Sequence, residues 1–417
     1  MRVIAIIAEY NPFHKGHEYL IRRAREAVGD PRALVLSIMS GPFTQRGLPA
    51  CAPKSVRAKQ ALKCGSDVVL ELPFEWACAP ANEFAEGAVL TLMKTGVVTD
   101  IAFGVESDDS GIMEALSDPA LYESESFTTA LRDNLSAGMN FPRSRAEAAA
   151  SCLEGFDREA VRNCLHSPNS ILAVEYLRAI KKFGAKFNVH MIKRVGQDYS
   201  SDDVNDTSGF MSASAVRKII NGCDSVSAVA SGIAGKLPDR SAAVMLAGLS
   251  AGDFSPCNLD KYIIRAVTSP SDDISSVRFM GDGLDGHIRN TFEKLRADDM
   301  SFGKVSSSLY TKHFAMPRIY RALTMMMMDV KADAVSYEPR YIRVLGFNHE
   351  GRYCLKIMGK CAKLPIIHNQ SDFLEHFSSD PDLERSARLG LAADDLAGTF
   401  MGISPASTWD IPPVIVK

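Results

Sequence analysis

The run Asn11-Pro12-Phe13-His14-Lys15-Gly16-His17 places two imidazoles three residues apart with a glycine between them. At the first turn of a helix, side chains at that spacing converge on one group. A helix start also offers exposed N–H groups and a partial positive charge, which suit phosphate. His14 and His17 are therefore candidate catalytic residues. Their N–H donors could stabilise charge building on an α-phosphate under attack, so that a nucleotide forms an adenylate and expels pyrophosphate. Gly16 has no Cβ and lets a phosphate or backbone come close. A pair of surface or metal-binding histidines is the competing reading. No further His or Cys at ligand spacing nearby supports a metal, and none is expected.

The elements around this run are those the chemistry needs. Val3-Ile4-Ala5-Ile6-Ile7-Ala8 is apolar without alternation and predicts a strand buried on both faces. Leu20, Ile21, Ala24 and Ala27 fall at helical spacing behind the histidines. The pair thus sits at the carboxyl end of the first strand, where open parallel sheets bind ligands. Further buried strands are predicted at 33–39, 67–72, 100–104 and 187–192, alternating with helices at 54–63, from Asn82 to about 94, from Pro168 and from Ser212. Such alternation predicts an α/β fold with a parallel sheet and right-handed crossovers. Residues 111–157 read as a helical insertion. Beyond Asn221-Gly222 the alternation stops, and the chain to about 364 is mostly helical, with short strands predicted at 341–345 and 353–357. Met325-Met326-Met327-Met328 reads as gap-filling core.

With 417 residues the chain has room for two or three domains. A 46% hydrophobic, 23% charged composition is that of an ordinary soluble globular protein. Net charge is -3, so nucleic-acid contact has to come from local basic patches. Nine scattered cysteines without a Cys-x-x-Cys pair indicate reduced thiols and a cytoplasmic location. No apolar run reaches spanning length, and no membrane association is expected.

Strand, histidine motif and helix together resemble the signature of the nucleotidyltransferase and class I aminoacyl-tRNA synthetase superfamily, which implies a Rossmann-like domain. A longer set of stretches resembles one family within it, the bacterial tRNA(Met) cytidine acetate ligases. These are Glu9-Tyr10-Asn11-Pro12-Phe13-His14-Lys15-Gly16-His17, Gln45-Arg46-Gly47-Leu48-Pro49-Ala50 and Glu71-Leu72-Pro73-Phe74, with Phe84-Ala85-Glu86-Gly87-Ala88-Val89, Phe103-Gly104, Ser167-Pro168-Asn169-Ser170-Ile171-Leu172 and the strand ending at Arg194. Arg343-Val344-Leu345-Gly346-Phe347 extends the likeness further on. The resemblance implies that ATP and acetate form acetyl-adenylate, and that the acetyl group passes to the exocyclic amine of the wobble cytidine of elongator tRNA(Met). Mg²⁺ is implied by the pyrophosphate chemistry of ATP.

Residue by residue, the implied ATP contacts are Ile7, Ala8, Glu9, Tyr10, Asn11, Pro12, Phe13, His14, Lys15, Gly16, His17, Glu18, Tyr19 and Leu20, with Gly104, Asn169 and Arg194. Gly104 ends a strand, where a base or ribose packs on bare backbone, though a plain turn glycine looks the same. Asn169 either bonds the nucleotide or caps its helix. Arg194 either pairs with phosphate or is a solvated surface arginine. Ser212, Ser214 and Arg217 resemble the superfamily's second phosphate-binding signature; capping by Ser212 explains the serines but not Arg217. In one departure, relatives carry a Gly-x-Gly-Tyr-His-Asp-like run where this chain has Val195-Gly196-Gln197-Asp198-Tyr199-Ser200.

Two basic clusters are candidate tRNA surfaces. One is Lys54, Arg57, Lys59 and Lys63; the other spans residues 318–363, with Arg343 and Lys356 central and tyrosines interleaved for stacking. Solvated helix and strand faces are the alternative for both. The expected organisation is an adenylating domain over 1–221, insertion included, followed by a mainly helical tRNA-binding region over 222–417. Two rival functions remain: a small-molecule nucleotidyltransferase, and a non-enzymatic ATP-gated RNA-binding protein.

Overall fold

A computed structural model describes residues 1–106, 109–195, 210–269, 273–405 and 411–417. Five parallel strands, β1 (Val3–Ala8), β2 (Leu34–Ser40), β3 (Val68–Leu72), β4 (Asp100–Val105) and β5 (Asn188–Lys193), lie in the order β5-β4-β1-β2-β3. The lack of alternation in β1 has a direct cause. Ala5 and Ile7 enter a core on one sheet face, while Ile4 and Ile6 enter cores on the other. The Ala81–Thr95 and Pro168–Phe183 helices cover the first face, and the Lys15–Val28 and Lys54–Lys63 helices the second. Strand order reverses at β1, which has β2 on one side and β4 on the other. The connections leaving β1 and β4 diverge there and open a crevice at the carboxyl ends of the strands.

The 111–157 region is helical as predicted, with helices at Ser110–Leu116, Pro119–Glu123, Glu125–Ser136 and Phe141–Cys152. The helices between Val226 and Met327 gather around a second core containing Tyr262, Leu284, Leu323 and Met325. Met326 and Met327 are also buried in it, as their reading as core requires. Phe43 and Phe74 from the first half of the chain enter the same core.

Beyond the helical part the chain returns to the sheet. β6 (Ile342–Phe347) runs antiparallel to β3, and β7 (Ile366–Ile367) and β8 (Val414–Ile415) each run parallel to β6. The two regions divided near residue 221 therefore share one eight-stranded sheet. The strand predicted at 353–357 is instead part of a helix, His349–Cys361. Asn348 caps it by accepting from the Gly351 N–H at 2.8 Å, and Cys354 and Met358, one turn apart, pack on the sheet. The alternation of Tyr353, Leu355 and Ile357 was incidental. Buried charges also tie the C-terminal segment to the sheet. Lys54 Nζ donates to both Glu71 oxygens at 2.9 Å and to Asp394 on the Pro381–Phe400 helix. Among the described residues no helix is long and apolar enough to cross a membrane.

Candidate active site

The histidines sit where the sequence places them, at the start of the Lys15–Val28 helix, and their geometry is reciprocal. His14 Nδ1 accepts from the Gly16 N–H at 3.0 Å, and His17 Nδ1 accepts from the His14 N–H at 3.2 Å. Two otherwise unpaired helix-start donors are satisfied this way. Each ring thus spends Nδ1 as an acceptor, so in the neutral form its proton is on Nε2. The rings stack with centroids 3.8 Å apart and planes 24° from parallel. Burial, with Arg194 and Arg217 nearby, pushes the His14 pKa down to about 3. Burial, His14 and Arg194 hold His17 well below the ordinary histidine range as well. At neutral pH the pair presents two uncharged N–H donors. Gly16 has a reason the sequence did not reveal: a Cβ there would lie 2.8 Å from His14 Cε1, displacing the ring.

Around this pair a cavity opens at the carboxyl ends of β1, β4 and β5. Ile7, Ala8, Glu9, Tyr10, Asn11, Gly16, Tyr19 and Leu20 line it with the histidines. Gly104, Asn169, Arg194, Ser212, Ser214 and Arg217, scattered over more than a hundred residues of sequence, line it too. Pro12, Phe13, Lys15 and Glu18 do not. Pro12 and Phe13 are buried behind the turn, Lys15 is half-buried, and Glu18 is exposed on the helix's outer face. Phe13 instead props His17, with ring centroids 5.4 Å apart. Tyr10, at φ +47, is fully buried with its hydroxyl 2.7 Å from Ser37 Oγ. This left-handed backbone turns the chain sharply out of β1.

The more distant groups are linked to one another. Arg194 packs over Gly104, where a Cβ would meet its Cγ at 3.1 Å, so the glycine makes room for the arginine. An Arg194 N–H donates to Asn169 Oδ1 at 3.3 Å, and Asn169 Nδ2 donates to Glu106 Oε1 at 2.6 Å. Ser212 caps the Ala213–Asn221 helix by accepting from the Ala215 N–H at 3.1 Å. One turn in, Arg217 donates to Ser214 Oγ at 2.9 Å and to the Asn11 carbonyl at 2.6 Å. Arg217 thereby joins a second helix N-terminus to the histidine turn. Two helix starts, two arginines and two N–H-presenting imidazoles facing one cavity are groups of the kind that can hold a polyphosphate.

Sequence reasoning missed Gln45, Phe84, Phe103, Leu172, Tyr176, Ile192, Lys193 and Ala213 on the cavity wall. A signal existed for some of them. Leu172 and Tyr176 lie three and seven residues beyond Asn169, on one helix face. Gln45 is brought in by its backbone N–H, which donates to Glu9 Oε1 at 2.8 Å. The run 196–200, where the sequence departs from its relatives, lies outside the described residues.

Besides Lys54, which is buried against Glu71 and Asp394, two further residues expected to grip tRNA do other work. Arg57 is fully buried, and its guanidinium donates to the Ala52, Glu9 and Ser40 carbonyls at 2.8–2.9 Å and to that of Gly41. Arg343 is buried on β6 with its Nε 3.6 Å from Glu71 Oε2. Neither reaches a phosphate, because a strand or helix face that covers a core hides its charges as well. Lys59 and Lys356 are exposed, but on helices packed against opposite faces of the sheet. Among the described residues no three His, Cys, Asp or Glu side chains come together as metal ligands.

Comparison with known proteins agrees with this arrangement. The HIGH Nucleotidyl Transferase family model matches residues 1–402. A tRNA(Met) cytidine acetate ligase of Acetivibrio thermocellus is 32% identical over 95% of this chain and 94% of its own length. The chain belongs to the tRNA(Met) cytidine acetate ligase family. A member from Thermotoga maritima, TmcAL, has been solved in an apo form that matches the whole of both chains with a TM-score of 0.88 at 30% identity. The same protein bound with alpha-thio ATP matches over the same extent with a TM-score of 0.86 at 29% identity. The α/β nucleotidyltransferase fold is thus shared along the full length.

Proposed function

We propose that this chain is an ATP-dependent ligase that joins acetate to the wobble cytidine of elongator tRNA(Met). In the first step an acetate oxygen attacks the α-phosphorus of ATP, the bond to the β-phosphate oxygen breaks, and pyrophosphate leaves. In the second step the exocyclic amine of cytidine attacks the acetyl carbonyl, loses a proton, and AMP leaves. The observation that carries the reading is the histidine pair. Both rings are held neutral with Nε2–H as donor, beside a helix start, where charge develops on the α-phosphate. Such preorganised donors are worth about 10²–10³ each in rate.

In this reading Arg194, Ser212, Ser214 and Arg217 hold the phosphates, while Gly104 and Asn169 flank the nucleoside. Mg²⁺ would accompany ATP and offset the charge of its phosphates, as a hard cation with oxygen ligands does. Residues 1–221 do the chemistry and the region from 222 onward contacts the tRNA, with Lys59 of the first part and Lys356 of the second as separate grips. A cytoplasmic setting suits a tRNA substrate and nine free cysteines. Names of relatives and the nucleotide analogue bound by a structural neighbour support the substrates.

Pyrophosphate release, measured with acetate alone and then with tRNA, tests the proposal. Acetate-dependent release, followed by acetyl transfer to tRNA(Met), is the expected result. Release that needs a different small-molecule acceptor would point to a plain nucleotidyltransferase. ATP-dependent RNA binding without release would point to a non-enzymatic protein.

A further inference from the structure

The cavity has two chemically different walls, and the polyphosphate reading uses only one of them. The histidines, serines and Arg217 belong to the side covered by the Lys15–Val28 and Ala213–Asn221 helices, and Arg194, packed over Gly104, reaches across to Asn169. The other wall is apolar and is made by Ile7, Phe84, Phe103, Leu172 and Tyr176. Its origin is the alternation of the sheet. Ile6 faces the core beneath the histidine turn, whereas Ile7 and Phe103 point to the opposite face, into the core shared with the Ala81–Thr95 and Pro168–Phe183 helices. Asn169, Leu172 and Tyr176 lie along one face of the latter helix, so Tyr176 is about 10 Å further along it than Asn169. Tyr176 and Phe103 rings pack 5.4 Å apart and close the floor. Phe84, Phe103 and Tyr176 are each more than nine-tenths buried while still bordering the cavity.

On the reading under Proposed function, we infer that this recess receives the carbon chain of the carboxylic acid and sets the length accepted. A carboxylate that attacks phosphorus has its oxygens committed to the polar wall, so its carbon end points to the other side. A methyl group is matched by an apolar recess. A nucleobase could stack a face on these rings, but of the five side chains only Tyr176 offers its edges a polar atom, so an edge turned into the recess would lose its hydrogen bonds to water. An apolar recess also keeps water from the mixed anhydride once it forms.

The test uses the full chain with Leu172→Ala, at a half-buried position, and Phe84→Leu, a milder change in the core. ATP-dependent pyrophosphate release is measured with acetate, propionate and butyrate. The wild type is expected to lose activity with each added methylene. Leu172→Ala is expected to raise kcat/KM for butyrate relative to acetate by about 10-fold or more, the discrimination one or two methylenes supply. KM for ATP stays as in the wild type, and Phe84→Leu shifts the preference in the same direction. An unchanged acid preference in both folded variants overturns the inference while leaving the ligase reading intact. A raised KM for ATP with unchanged preference overturns it in favour of the adenine base. A defect confined to acetyl transfer overturns it in favour of cytosine. If the wild type releases no pyrophosphate with any acid, the ligase reading fails and this inference with it.

Discussion

Replacing Arg57 with Met should weaken the fold rather than RNA binding. The guanidinium satisfies carbonyls at the end of β1 (Glu9), at and just past the end of β2 (Ser40, Gly41), and at Ala52. Met fills most of the volume but supplies no donor. Each buried carbonyl left without one costs about 1–3 kcal/mol, and relaxation of the loops recovers part of the total. If two of the four remain unpaired, the loss is about 2–6 kcal/mol, a large share of the ~5–15 kcal/mol typical of a folded protein. With an unfolding entropy of about 2.1 cal/mol/K per residue, a chain of 417 residues shifts by roughly 1 °C per kcal/mol, so the melting temperature should fall by about 2–7 °C. Arg57→Lys keeps the charge and up to three donors, and should fall in between. Because Glu9 and Gln45 border the cavity, ATP affinity should weaken together with stability. Thermal denaturation and filter binding of tRNA, run on the same preparations, decide the matter. Wild-type melting with reduced tRNA affinity would refute the buried brace and return Arg57 to the RNA surface.

Four further outcomes follow from the same structure. Gly47→Ala should destabilise the chain and impair adenylation, since Gly47 has φ +90 and a Cβ there would collide with the Tyr320 and Arg321 backbone; a wild-type melting curve and rate would contradict this. The pH profile of kcat should show no limb near 6.5 from these histidines. Stability should behave differently: His14 titrates near 6.5 when unfolded but at about 3 when folded, so its contribution is complete above 6.5 and is lost as pH falls. At pH 5 the loss is about 2 kcal/mol, and a His14→Asn variant compared by denaturant titration should lack it. Finally, Lys356→Ala should flatten the slope of log tRNA affinity against log salt by about one unit, whereas Arg343→Ala should act through stability. An unchanged salt slope for Lys356→Ala would move the RNA surface away from that helix.

Much of the sheet domain was legible because its signals are local. Val3–Ala8 has no polar residue, and its six-residue length with isoleucine and valine suits a strand covered on both faces. The histidine turn was legible for the same reason, since its donors and acceptors lie within four residues. What escaped was tertiary. Nothing local shows that residues 342–347 return to pair with β3, or that Arg57 and Arg343 point inward, because a basic residue in an amphipathic segment reads as solvated. The apolar cavity wall was hidden in another way: Phe84, Phe103 and Tyr176 look like ordinary core, and only the reversal of strand order at β1 opens a space beside them.

In the proposed mechanism two neutral imidazoles act as donors to the α-phosphate during adenylation. Acetate-dependent pyrophosphate release by His17→Ala tests it most directly, with circular dichroism and thermal denaturation as controls for folding. His17 accepts the His14 N–H, so its loss removes one donor and loosens the other. The expected result is a fall in kcat of about 10²–10³-fold with the fold retained. A folded His17→Ala enzyme releasing pyrophosphate at close to the wild-type rate would contradict it.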